Sequence, residues 1–575
     1  MPDDIVTKHQ AVYEQLKAIR ASKTIALKPT ARLRDTVTGL DGTPQPFQLR
    51  YYQVQAVYHL LLLKRMILGD STGTGKTLIC VAFFVYSWTK EPHVKAVVVT
   101  PKSALRQWAG EIARFTQQIR CYIVDGTPME REATYRAFAA HSPDSEWKAV
   151  LLIGYAPLVR DWNAKADVEE GQPPLGLLEG IAASAGPLTV VFDECTAFKS
   201  DRTKTWQVCK QLSERADRCY GLTATLLKNN LIEGYSIYKV ILPALFTNKT
   251  AFMRDYCITQ LQRVAGGRKI PIVVGYKNLE AFRQRIDTFF LGRPKHAISA
   301  ELPKLTTREV HVKLSAAEDA KYEEALTGLI SLGNGDVKDY QDNQELVSLI
   351  YCQKTVDSLS LLGYREGNPI DLDAFNDLGS SVPVTAVGTK EQALLDLLTE
   401  EFDGEKVIVY CRFASLIPRL QKLCKDKGIE SVAVTGDVVD TKKNPARMNA
   451  QKVFQDLNSK VKVIFISDAG SEAINLQAAS AMVFYNAPWS WGGYVQLLGR
   501  PIRIGSPHER VIAVHLVAQR RSGKQTIDQY TLAILQKKKE LIDKVLGEAA
   551  VGALNFEGGQ SFARELASSL RRRPV

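Results

Sequence analysis

Residues 69–77 read GDSTGTGKT, and the fold turns on how they are read. From Asp70 onward they come within one residue of G-x-x-x-x-G-K-[ST], the pattern in which a glycine-rich turn delivers phosphates to the N-terminus of a helix. Gly75, Lys76 and Thr77 fit, whereas Asp70 stands where the first glycine belongs. Gly73 and Gly75 permit a tight turn and close backbone approach. The nucleotide-binding turn is expected to run from Asp70 through Ser71, Thr72, Gly73 and Thr74 to Gly75, offering its amides to the phosphates. Lys76 would pair the β- and γ-phosphates, and Thr77 would place its hydroxyl on Mg²⁺. The flanks agree, since the apolar run RMILGD (65–70) precedes the loop and the helical TLICVAFFVYSW follows it.

Outward from the loop, apolar β-branched runs alternate with helical stretches. KAVVVTP (95–101), AVLLIGY (149–155), LTVVFDE (188–194) and RCYGLTAT (218–225) form one series. KVIVYCR (406–412), ESVAVTGD (430–437), VKVIFISD (461–468), AMVFYN (481–486) and RVIAVHLV (510–517) form another. Buried strands separated by helices argue for parallel sheets, so the chain reads as two α/β units. The expected division is a helical N-terminal extension over 1–45 and a first unit over 46–240. A mostly helical insertion follows over 241–400, then a second unit over 401–548 and a tail over 549–575.

A length of 575 residues with 45% hydrophobic and 24% charged content is that of a folded multidomain chain. The net charge of +12 suits a polyanionic partner. Residues 501–575 hold 13 Lys and Arg against 7 Asp and Glu, which is half of that surplus. The nine cysteines show no C-x-x-C spacing, which argues against a zinc site and for a reducing compartment. The start, MPDDIVTKHQ, lacks the basic and then apolar character of a signal peptide, and no apolar run is long enough for a membrane helix. The expected location is cytoplasmic, with nuclear as the alternative, and no membrane partner is expected.

A phosphate loop needs carboxylates at a neighbouring strand end. VVFDE supplies Asp193, to hold Mg²⁺ through water, and Glu194, to orient and polarise an attacking water. Phosphoryl transfer also calls for positive charge on the γ-phosphate. QLLGRPIRIGS (496–506) offers Arg500 and Arg503, three apart and so on one face if helical. Lys76 lies in the first unit and the arginines in the second, so ATP held between the units would favour closure and hydrolysis would release it.

Together these segments resemble superfamily-two helicases and, within them, the Swi/Snf-type DNA translocases, from about residue 46 to 548. LRYYQVQAV (49–57) resembles the family's glutamine motif, which implies that Gln53 reads the adenine edge. The loop resembles the family's own, which begins with Asp rather than Gly. VVTPKSALRQWAGEI, VVFDECTAFKS, YGLTATLLKNNLIEGYSI, KVIVYCRFAS, SDAGSEAINL and NAPWSWGGYVQLLGRPIRIGS resemble its motifs Ia to VI in order. QTIDQYTLAILQKKKELIDKVLG (525–547) is similar to its closing helix.

The resemblance implies two RecA-like parallel-sheet motor domains with helical insertions between them, ATP and Mg²⁺ as cofactors, and a monomer on double-stranded or branched DNA. It implies strand contacts from Thr100, Pro101, Lys102, Ser103 and Ser467. Trp489 lies against the strand or packs between loops, and Lys199 reaches phosphate or is an ordinary exposed lysine. Cys195 and Thr196 depart from the family's Ala-His, Ala224 replaces a glycine, and Asp468 is an acid of the kind seen in the RNA-helicase branch. Three readings follow: a duplex-DNA translocase that remodels DNA structures or bound proteins, a strand-separating or branch-migrating helicase on DNA or RNA, and a non-hydrolysing scaffold. No strand-splitting wedge is identified in the sequence.

Overall fold

A computed structural model describes residues 9–546 apart from 39–42, 143–144, 163–177, 179, 182–186, 225, 227–230, 264–268, 294–301, 328, 332–336, 340–343, 363–385, 437–445, 469–473 and 504. The expected tail at 549–575 and the asparagines of NN (229–230) lie outside the described residues. The chain forms two compact units, Met1–Ala300 and Glu301–Glu540, and the last described residues, from Leu541, fall in the first.

The first unit is built on a seven-stranded sheet. In chain order its strands are β1 (Arg65–Leu68), β2 (Lys95–Thr100), β3 (Ile119–Val124), β4 (Lys148–Gly154), β5 (Leu188–Asp193) and β6 (Arg218–Leu222). A free-standing hairpin of β7 (Cys257–Arg263) and β8 (Lys269–Tyr276) comes next, and β9 (Phe290–Leu291) then returns to the sheet. The sheet order is β9-β1-β6-β5-β2-β4-β3, with every pairing parallel. β4 is buried along its whole length and β2 and β5 along nearly all of theirs, as parallel strands covered on both faces should be.

Helices α1 (Gln10–Ala21), α2 (Tyr51–Leu62), α3 (Lys76–Lys90) and α4 (Leu105–Phe115) lie in this unit. α3 is buried on every side from Leu78 through Val85. α4 buries the stripe Leu105, Trp108, Ile112 and Phe115, one face of a 3.6-residue repeat.

The second unit has a six-stranded, all-parallel sheet of β10 (Lys304–Lys313), β11 (Val407–Tyr410), β12 (Ser431–Val434), β13 (Val463–Ile466), β14 (Ala481–Phe484) and β15 (Arg510–Gln519). Its order is β10-β15-β14-β11-β13-β12. Val407, Val409, Phe465, Val483 and Val514 meet Leu394, Leu398 and Leu420 in its core. Helix Ile527–Leu546, near the limits expected for the closing helix, starts in a buried ionic cluster. Lys390 Nζ lies 3.0 Å from Asp357 Oδ1 and 2.7 Å from Asp528 Oδ2. Gln353 donates to both carboxylates, and Asn486 Nδ2 donates to Asp357 Oδ2 at 2.6 Å.

Two segments differ from their expected character. Residues 1–45 carry, besides a helix, most of an antiparallel ribbon, Thr36–Thr38 against Pro44–Pro46, which ends one residue beyond the expected boundary. The segment 241–400 is not only helical. It supplies the hairpin, the edge strand β9 of the first sheet and the edge strand β10 of the second. β10 pairs with β15 over ten residues, but only Val312 of its side chains is buried, so it carries no long apolar run to announce it.

Candidate functional site

The C-terminal ends of β1, β2 and β5 gather the first unit's candidate residues, which is where ligands bind in open parallel sheets. The loop leaves β1 at Gly69, where an added Cβ would sit 2.3 Å from the Phe290 ring. Only glycine lets β9 approach this closely. Gly75, at φ +85°, begins α3, and an added Cβ there would meet Gln53 Nε2 at 2.7 Å. The left-handed backbone and the lack of room both require glycine.

Asp70 is fully buried and does not face the loop's interior. Its carboxylate accepts from Arg293: Oδ1 from the backbone N at 3.1 Å and Nε at 3.0 Å, and Oδ2 from Nη2 at 2.5 Å. Arg293 also donates to Gln55 Oε1 and the Tyr52 carbonyl, and its own carbonyl accepts from Ser71 N and Oγ. Asp70, expected among the nucleotide-contacting residues, therefore serves as an anchor. It ties the first turn of the loop to a segment more than two hundred residues downstream. Gln53, expected to read adenine, has both ends of its amide engaged. Oε1 accepts from Arg50 N at 3.0 Å, and Nε2 donates to the Thr74 carbonyl at 3.2 Å. Tyr52 Oη donates to that same carbonyl, and Thr74 Oγ1 to the Ser71 carbonyl. Lys76 Nζ curls back onto the carbonyls of Asp70 and Ser71 at 2.7 and 3.2 Å. Thr72, Gly73 and Thr77 are partly exposed.

At the end of β5, Asp193 Oδ2 accepts from Thr100 Oγ1 and from the Trp108 indole N–H, each at 2.8 Å. Oδ1 accepts from Glu194 N at 3.1 Å. Burial first, and then the neighbouring Glu194, raises the Asp193 carboxyl above its ordinary value, while the bonds from Trp108 and Thr100 and the charge of Lys76 pull the other way. Glu194 adopts the left-handed region at φ 49°, ψ 55°, an uncommon conformation for a residue with a side chain. Its Oε2 is buried without a hydrogen-bond partner among the described residues. Thr100, expected on the nucleic-acid strand, is fully buried and belongs to the shell of Asp193.

Among the other expected strand contacts, Pro101 and Ser103 are partly exposed and Lys102 is exposed, with Ser103 Oγ turned inward without a partner among the described residues. Lys199 forms an ion pair with buried Glu233 at 3.1 Å, so it is not an unengaged lysine. In the second unit, Ser467 is buried just beyond β13. Arg412 stacks on Trp489, 3.4 Å from the ring centroid. Helix Trp491–Leu498 ends before the two arginines, which lie in the turns that follow it. Arg500 is buried, and Arg503 donates through Nε to the Gly499 carbonyl at 3.0 Å and through Nη1 to Asn475 Oδ1.

Trp108 and Arg293 are the residues sequence reasoning missed. Trp108 had a signal, because an indole on a core stripe needs a partner for its N–H. Arg293 had none nearby.

The oxygen donors Thr77 and Asp193 are of the hard kind that suits Mg²⁺. Among the described residues no group of three or more His, Cys, Asp or Glu forms a closed metal cage, and no helix is long and apolar enough to cross a membrane.

Comparison with known proteins adds the family. Residues 52–361 match the SNF2-related domain, and residues 389–505 match the helicase conserved C-terminal domain. An uncharacterized ATP-dependent helicase of Mycoplasma pneumoniae is 23% identical over 87% of this chain and 42% of its own. The ISWI chromatin-remodeling complex ATPase ISW1 of Saccharomyces cerevisiae is 24% identical over 86% of this chain and 41% of its own. The uncharacterized ATP-dependent helicase YqhH of Bacillus subtilis is 22% identical over 92% of this chain and 84% of its own. The chain thus spans about two fifths of the length of the first two relatives. A solved SWI2/SNF2 ATPase core from Sulfolobus solfataricus, in complex with dsDNA, is 20% identical, covers 91% of this chain and 96% of its own, and has a TM-score of 0.38. With more than half of its residues under the first of the two family models, the chain belongs to the SNF2-related family.

Proposed function

We propose that the protein is an ATP-hydrolysing motor that moves along double-stranded DNA and remodels DNA structures or DNA-bound proteins. The observation that carries this reading is the acidic end of β5 beside the phosphate loop. One carboxylate there is fixed by three donors, and the next keeps a buried oxygen without a partner. Family membership and relatives named ATP-dependent helicase and chromatin-remodeling ATPase support it.

In this reading the loop amides and Lys76 hold the nucleotide's phosphates, and Lys76 leaves the carbonyls of Asp70 and Ser71 to do so. Glu194 Oε2 accepts a proton from the attacking water. The water oxygen bonds to the γ-phosphorus as the bond to the β-phosphate oxygen breaks, giving ADP and inorganic phosphate. Arg500 and Arg503 stabilise the charge that develops. Mg²⁺, held by Thr77 and through water by Asp193, would offset the phosphates' negative charge. Lys102 and Ser103, with Ser467 and Trp489, follow one strand of the duplex through its backbone. The motor works as a monomer in the cytoplasm.

The test is ATP turnover with no nucleic acid and with single-stranded, duplex, forked and four-way DNA, and RNA. Duplex-containing DNA is expected to stimulate turnover, and Lys76→Ala to abolish it. No turnover under any condition would leave a binding scaffold. Stimulation by RNA alone would also overturn the proposal.

Trp108→Phe offers a finer check. It removes one donor that favours the charged form of Asp193, so the carboxyl should rise further. The charged form is the one the reaction uses. The acid limb of the kcat/KM profile should therefore move to higher pH, with rates converging on wild type in alkali. An unmoved limb would count against Asp193 in its role.

A further inference from the structure

The hairpin β7–β8 leaves the body of the first unit almost at once. Its root is fixed: Tyr256 packs with Phe246, Phe252 and Phe282 at centroid distances of 6.2, 5.1 and 5.5 Å. Lys277 N donates to the Tyr256 carbonyl at 3.0 Å, closing the base. Cys257 is still buried, but Ile258 is 48% and Leu261 64% exposed, and Thr259 and Gln260 between them are exposed too. Both faces of β7 are therefore open, since successive residues of a strand alternate sides. Among the described residues the two strands pair only with each other, and a bulge between Val273 and Gly275 adds twist.

Such a ribbon is marginal by itself in water, and two bare aliphatic side chains on opposite faces add to its cost. Its charge is one-sided. Residues 257–277 contain Arg263, Arg268, Lys269 and Lys277 and no acid, and the register sets Lys269 opposite Arg263. A polyanion suits that composition, and the major groove of duplex DNA has the width for a two-stranded ribbon. Aliphatic side chains are suited to thymine methyls there.

We propose that this hairpin is a second nucleic-acid contact of the first unit, seated in a groove of duplex DNA. The inference rests on the motor reading above and names a part of its DNA-binding surface outside the strand-end residues.

The test uses the full chain and a fluorescein-labelled 30-base-pair duplex, with affinity read by anisotropy across a salt series. The variants are Arg263→Glu with Lys269→Glu and, separately, Ile258→Ser with Leu261→Ser. ATP turnover without DNA should be unchanged in both, because none of these residues belongs to the nucleotide site. The charge-reversed chain should bind roughly ten-fold or more weakly, with the slope of log K against log salt reduced by about 2. The serine variant should weaken binding several-fold without altering the slope. If wild type binds duplex and both variants match it in affinity and slope, the hairpin is not a DNA contact. In that case the aliphatic residues belong to a different partner. If wild type itself does not bind duplex, the motor reading fails, and the hairpin's role fails with it.

Discussion

Arg503→Ala should slow ATP hydrolysis by roughly 10³-fold while leaving nucleotide binding nearly intact, as loss of a transition-state guanidinium does. The local structure gives the substitution little reason to unfold the chain. Arg503 is partly exposed, and two of its bonds run to the Gly499 carbonyl and Asn475. Those two bonds help to hold the guanidinium in one orientation. Arg503→Lys should recover little, because an ammonium cannot reproduce a planar fork of donors. Single-turnover hydrolysis at saturating ATP, with binding measured separately, checks both statements. A near-normal rate would remove Arg503 from the chemistry and leave Arg500 as the remaining candidate.

Arg293→Ala should be the most destabilising single change near the nucleotide site. It leaves the Asp70 carboxylate fully buried without the two bonds that the guanidinium donates, and breaking one side of a buried pair costs about 3–5 kcal/mol. The backbone N of residue 293 still donates after the change, so the lower part of that range is expected. The measurement is the unfolding transition of the first unit by calorimetry, together with ATP affinity. Asp70→Gly restores the glycine that phosphate loops usually carry. Combined with Arg293→Ala, it should recover much of the loss, since no buried charge is then left alone. If the double variant is as unstable as the sum of the singles, the two residues are not coupled and the bracket is incidental.

Much of the architecture was legible because parallel strands buried on both faces are written as continuous apolar runs. KAVVVTP, AVLLIGY and VKVIFISD each mark a strand without help from elsewhere. β9 was not legible, because two residues carry no periodicity and its place depends on pairing with a strand more than two hundred positions away. β10 was hidden by its exposure. The hairpin did leave a trace: Gly266–Gly267 stands between β-rich runs, a known turn signal. Pro271 and the surrounding helical patterns obscured it. In the candidate site, the loop and the acidic pair were local words in the sequence. The partners of Asp70 and Asp193 were not, since Arg293 and Trp108 reach them only through the folded sheet.

The long-range bracket on Asp70 also dictates how this protein can be dissected. A fragment cut at residue 240 would keep every letter of the glycine-rich motif yet lose β9 and Arg293, exposing the edge of β1 and stranding an aspartate in the interior. A truncation intended to isolate nucleotide binding must therefore run through 293. Its complement should open no later than Lys304, or the second sheet forfeits its ten-residue border strand.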